Sequence, residues 1–150
     1  MENKVLGVVI DLFVSKGGVE KREAQKALAL ELDGVCEDKF KGKDIDRSVL
    51  LVSRKSYEFA KQNDIDLSDG ELGENILVDF DPYSFESGSR IHIGEVILEI
   101  SQKSSLCSSL SKINTKLPKL LKDKRDIFAK VVHAGSIKKG DAITQKDIPI

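Results

Sequence analysis

The chain opens on an apolar run. Val5 to Val14 reads VLGVVIDLFV, rich in β-branched residues, and predicts a strand. Lys16-Gly17-Gly18 follows as a basic turn. From Glu20 to Leu32 two patterns compete. The residue types of EKREAQKALALEL favour helix by intrinsic propensity, whereas Leu28, Leu30 and Leu32 alternate as in a strand with one buried face. The alternation predicts an extended segment over Ala27 to Leu32 and leaves the N-terminal half open. Asp33-Gly34 marks a turn, and the charged stretch Cys36 to Arg47 reads as loop. Val49 to Val52 is a short buried strand. Ser53 is placed to cap a helix over Arg54 to Gln62, with Tyr57 and Ala60 on one face.

Beyond that helix the period returns to two. Ser68-Asp69-Gly70 turns the chain into the loop Gly73-Glu74-Asn75, and Ile76 to Val78 starts a strand that Asp81-Pro82 breaks. Arg90 to Ile93 and the run from Val96 flank Gly94-Glu95, a two-residue hairpin connection with glycine first, as a type II′ turn requires. Ile91, Ile93, Val96, Leu98 and Ile100 then share one face, and the predicted core comprises Ile91, Ile93, Leu98, Ile100 and Val131. Ile127 to Val132 is a further strand. Ala134-Gly135 and Lys139-Gly140-Asp141 are turns before a short final strand at Ala142-Ile143. Five to seven short strands with one clear helix predict a mostly β, barrel-like fold.

Length adds that 150 residues make one domain, 1–150, with enough chain for a real core. The net charge of −1, from 24 basic and 25 acidic residues, gives no global attraction to nucleic acid or anionic lipid. Any anion site must be a local cluster. No run approaches the roughly 20 apolar residues of a membrane helix, and no secretory signal is recognisable. The chain therefore reads as cytoplasmic, where Cys36 and Cys107 are not expected to form a structural disulfide. The segment Lys103 to Asp126, rich in serine and lysine, reads as mobile or surface-lying.

Candidate chemistry concentrates between Ser68 and Cys107. Cys107 lies just past a strand among small polar residues, with Leu110, Ile113 and Leu117 following at helical spacing. Two readings stand for it: a thiolate favoured by a helix N-terminus, or a small buried hydrophobe. Cys36 lies beside Glu37 and Asp38, two carboxylates that disfavour a thiolate. Neither His92 nor His133 has zinc-site spacing. Lys16, Lys39, Arg47 and Arg125 flank turns or strand starts, from which side chains can converge on a phosphate. Glu74 and Asn75 adjoin glycine, which lets backbone approach a ligand closely. No GxGxxG or P-loop spacing is present.

Taken in order, SKGG, DGVCEDKFKGK, Arg47 before VLLVS, DGELGENILV, SGSRIHIGEVILEIS, Cys107 and RDIFAKVVHAGSIKKGDAI resemble a MOSC domain, the domain named after the C-terminal part of molybdenum cofactor sulfurase. The resemblance implies a mixed, strand-rich β-barrel that binds the molybdenum cofactor (molybdopterin), a pterin dithiolene bearing a phosphate. It implies that Cys107 carries sulfur or ligates molybdenum, and that Lys16, Lys39, Arg47, Glu74, Asn75 and Arg125 line the cofactor site. Three positions depart from the family pattern. Glu37-Asp38-Lys39 stands where Gly-Asp-Arg is usual, Leu106 where Pro is common before the cysteine, and Asp126 where Gly follows the arginine. Two functions are implied. One is a carrier that passes the cofactor, its metal-sulfur group or sulfur to a cofactor-biosynthesis or molybdoenzyme partner. The other is a molybdenum-dependent reductase of N-hydroxylated substrates served by a separate reductase, since the chain has no iron–sulfur pattern of its own.

Overall fold

β1 (Asn3–Val14) is the long strand on which the sheet turns back on itself. Its first half pairs antiparallel with β11 (Ala142–Lys146), and its second half with β6 (Ile76–Val78) and β2 (Glu23–Gln25). The register shifts between Val5 and Gly7 and again between Val9 and Asp11. Such bulges increase local twist, which one strand needs in order to serve two partners around a barrel. At the first bulge the Val8 N–H donates to Asp79 Oδ1 at 2.8 Å. Gly7 makes that approach possible, because a Cβ there would lie 2.0 Å from the same oxygen. The computed structural model describes residues 3–15, 23–39, 41–82, 85–103, 116, 119, 121 and 126–146.

The sheet order is β11, β7 (Arg90–Ile93), β8 (Val96–Lys103), β9 (Asp126–His133), β5 (Val49–Ser53), β6, β1, and the pairing of β1 with β11 closes a seven-stranded barrel. All its pairings are antiparallel except β5 with β6. Parallel neighbours need a crossover, and here α1 (Arg54–Gln62) and the following loop supply it. The Ser53 hydroxyl accepts from Lys55 N at 3.1 Å, capping α1 where the sequence places its start. A second sheet of β10 (Gly135–Lys138), β3 (Ala27–Glu31) and β4 (Gly34–Val35) packs on the barrel.

Alternation decides what lies inside. Ile91, Ile93, Leu98, Ile100 and Val131 are all buried in one cluster, as expected. β5 is buried at every residue because both its faces are covered. Val49 and Leu51 join the interior, while Leu50 and Val52 join an outer cluster with Phe13, Leu77, Tyr57 and Ala60 under α1. Gly94 has φ 58 and Glu95 is not in the left-handed region, which fits the expected type II′ hairpin.

The strands exceed the expected five to seven, running to β11 among the described residues. Glu23–Gln25, Gly34–Val35 and Gly135–Lys138 are too short to show a period of their own, and their partners impose extension on them. Gly135, expected in a turn, pairs with Leu30, and the final strand runs on to Lys146. The expectations for Lys16 to Gly18, for the helix after Cys107 and for most of Lys103 to Asp126 fall outside the described residues. Among the described residues no helix is long and apolar enough to cross a membrane.

Candidate functional site

The barrel end where β1 leaves the sheet carries a buried polar knot. The ladder from β1 to β6 stops at Leu12 and Ile76, and that to β2 at Val14. Ser15 lies one residue further on and is nonetheless buried. Its N–H donates to Asp38 Oδ1 at 2.7 Å, and its carbonyl accepts from Lys39 N at 2.7 Å. Asn75 completes the knot. Its Nδ2 donates to the Phe13 carbonyl at 3.2 Å and to Asp38 Oδ1 at 3.4 Å, while its Oδ1 accepts from Leu50 N at 3.0 Å. Its backbone pairs with the same strands, Asn75 N donating to the Leu50 carbonyl and Phe13 N to the Asn75 carbonyl. One buried amide thus joins β1, β5 and the Asp38 loop.

Asp38 reaches the knot through a strained turn. Asp38 N donates to the Val35 carbonyl at 3.2 Å, closing a four-residue turn whose third residue, Glu37, has φ 69. A single positive φ at the third position is type II geometry, where glycine is preferred. The family's usual Gly before Asp therefore has a backbone reason, and Glu37 adopts that conformation at a cost of about 1–2 kcal/mol.

Glu74 faces the other way, toward α1. It is wholly buried, and both carboxylate oxygens lie 2.7 Å from the Tyr57 hydroxyl. That hydroxyl also accepts from Gly70 N at 3.0 Å and Leu72 N at 3.1 Å, and Gly70 N reaches Glu74 Oε2 at 3.1 Å. Burial, followed by the charge of Glu74, pushes the Tyr57 phenol far above its ordinary range. Arg54 Nη1 and Nη2 hold the Asp69 carboxylate in a bidentate pair at 2.6 and 2.9 Å, fastening the same loop to α1 a second time. Glu74 thus ties the Gly-Glu-Asn loop to the helix, and Asn75 ties it to the barrel.

Of the sequence-nominated residues, the structure brings Lys39 and Asn75 together through Ser15 and Asp38. The Lys39 side chain is exposed. Arg47 closes a 3-10 turn (Ile45–Arg47) ahead of β5, and its guanidinium lies 5.6 Å from the Phe128 ring centroid on the outside of the barrel. Lys16, Cys107 and Arg125 lie outside the described residues. Lys16 directly follows Ser15 in the chain, and Arg125 precedes Asp126, whose backbone pairs with Val52. Sequence reasoning gave no role to Asp38, read as a neighbour of Cys36 and as the middle of Glu37-Asp38-Lys39, and none to the Tyr57 hydroxyl, since Tyr57 was read only as part of an apolar face. An acid next to a turn and a tyrosine on a capped helix were the available signals.

Cys36, which follows β4, is a free thiol. Its Sγ donates to Glu31 Oε1 at 3.0 Å, and this bond, with burial and the Glu31 charge, pushes the thiol up. The acid responsible sits across the β3–β4 pair rather than at Glu37 or Asp38. Among the described residues no group of three or more His, Cys, Asp and Glu is arranged to hold a metal ion.

The geometry defines a class of protein: a closed, mixed seven-stranded barrel with one crossover helix and a polar knot at its end. The MOSC domain family model matches residues 30–144, and the chain belongs to that family. MOSC domains are associated with the molybdenum cofactor. Among solved structures, the YuaD protein from Bacillus subtilis superimposes with a TM-score of 0.83 at 16% identity, covering 97% of this chain and 99% of that one. YiiM from Geobacillus stearothermophilus gives 0.69 at 14% identity over 97% and 76%. YiiM from Escherichia coli gives 0.67 at 20% identity over 92% and 69%. At these identities the likeness is one of fold. No curated protein matches the sequence.

Proposed function

We propose that this domain binds the molybdenum cofactor and carries it, or the sulfur of its metal centre, to a protein partner through Cys107. The observation that carries the reading is the family match across residues 30–144. The barrel end supports it: Asn75, Asp38 and Ser15 form a rigid buried base, and the exposed Lys39 side chain starts from that base. Rigid backbone under a basic side chain suits a phosphate-bearing ligand. In this reading Lys16, Lys39, Arg47 and Arg125 meet the phosphate, while Glu74 and Asn75 hold the loop that shapes the site. Cys107 offers a soft thiolate to molybdenum or to sulfane sulfur. The cofactor, when bound, supplies the redox-active metal-sulfur group.

The test is to purify the protein from cells that make the cofactor and assay molybdenum and pterin. Both are expected to co-purify with wild type, and Cys107→Ser is expected to lose the metal while keeping its fold. Wild type free of pterin, or Cys107→Ser loaded with metal as fully as wild type, would overturn the reading.

A further inference from the structure

Asp38 is a buried acid at an end that is proposed to bind an anion. Simple electrostatics disfavours that placement, since a carboxylate repels a phosphate. Three observations bear on why it is there. Asp38 is 7% exposed, so its charge is held out of water. Its Oδ1 takes the N–H of Ser15, the first residue after β1, and also meets Asn75 Nδ2. The turn that delivers it holds Glu37 at φ 69, a strained conformation retained directly beside it. The next residue, Lys39, returns a bond from its own N–H to the Ser15 carbonyl. Ser15 is thus gripped on both its donor and its acceptor by two consecutive residues of one loop.

We infer that Asp38 is a positioning residue for the cofactor site: its carboxylate fixes the exit of β1 against Asn75 and Lys39, and so sets where the basic side chains meet the phosphate. Charge-assisted bonds to backbone N–H are shorter and stiffer than neutral ones, which favours a carboxylate over a neutral acceptor at a point that must not move. Among the described residues, no ladder pairing holds Ser15. The inference rests on the cofactor reading above but makes a claim of its own about the protein without ligand.

Asp38→Ala and Asp38→Asn test it, because Asn keeps the acceptor for Ser15 N and removes the charge. The first readout is amide exchange by NMR on protein from cells lacking the cofactor. Asp38→Ala should speed exchange at Ser15 and Lys39 by about tenfold or more, with Ile76 and Ile100 unchanged and Asp38→Asn between wild type and Asp38→Ala. The second is the pterin content of the same variants made in cofactor-producing cells. Positioning gives the order wild type, then Asn, then Ala, with Ala lowest. Unchanged exchange at Ser15, exchange rising equally throughout the barrel, or pterin content equal to or above wild type in Asp38→Ala would each overturn the inference. Wild type without pterin would remove the cofactor reading and the site claim with it, whereas the exchange result would still decide whether Asp38 holds the strand exit.

Discussion

Replacing Tyr57 by Phe removes one oxygen and leaves the ring that packs under α1. That oxygen has three jobs. It accepts from Gly70 N and Leu72 N, and its hydrogen goes to the Glu74 carboxylate. Tyr57 is 6% exposed and Glu74 0%, so water cannot stand in. Gly70 N keeps a second acceptor in Glu74 Oε2 at 3.1 Å, which leaves the Leu72 amide as the new orphan. A hydrogen bond to a charged group contributes about 1.5–3 kcal/mol, and an unsatisfied buried amide costs about 1–3 kcal/mol. The two overlap, and a loss of about 3 kcal/mol is expected for Tyr57→Phe, a fall in Tm of roughly 6–12 °C for a chain of this size.

The same substitution has a pH signature. Burial and then Glu74 hold the Tyr57 phenol above its ordinary value of 10.0 in the folded protein, with the Leu72 and Gly70 amides opposing. The unfolded chain ionises this tyrosine near its ordinary value while the folded chain retains the proton. The stabilising contribution is therefore complete below about pH 10 and declines above it, by about 1.4 kcal/mol per pH unit. Urea unfolding followed from about pH 8 to about pH 11 should show wild type losing stability faster than Tyr57→Phe above pH 10. Tyrosinate absorbance gives a second check: of the two tyrosines, Tyr57 should ionise only as the protein unfolds. A Tyr57→Phe protein within about 0.5 kcal/mol of wild type, or one with the same alkaline slope, would refute the three-bond reading of this hydroxyl.

Glu37→Gly should stabilise the protein by about 0.5–1 kcal/mol, the relief of left-handed strain less the added entropy of an unfolded glycine. Chemical denaturation checks this, and destabilisation would mean that the Glu37 side chain makes a contact worth more than the strain. Glu31→Gln should lower the Cys36 thiol and speed its alkylation at fixed neutral pH, read by peptide mass spectrometry. An unchanged rate would show that Glu31 does not control this thiol. In wild type the same experiment should modify Cys107 before Cys36.

The barrel was legible where alternation was long enough to speak. The hairpin Arg90 to Ile100 shows its buried face in sequence, and Ser53 marks the start of α1 because a cap is a local event. β2, β4 and β10 were not legible, since pieces of a few residues take their conformation from partners such as Val14, Leu30 and Ala29. Glu74 and Asn75 stood out as the polar residues following Gly73. Their division of labour did not, because the bonds of Asn75 to Phe13 and of Glu74 to Tyr57 join positions distant in the chain. Asp38 was hidden for the same reason. Its neighbours in sequence are charged residues, and its neighbours in space are Ser15 and Asn75.

The claim that the Ser15, Asp38 and Asn75 end is where the cofactor sits is tested most directly by comparing amide hydrogen exchange in two preparations. One is purified from cells that make the molybdenum cofactor, the other from cells that cannot. With pterin present in the first, protection is expected to rise at Ser15, at Lys39 and in the peptide containing Cys107, while the β10, β3 and β4 sheet stays unchanged. Pterin-loaded protein whose added protection lies on that small sheet, or whose exchange matches the cofactor-free preparation throughout, would contradict it.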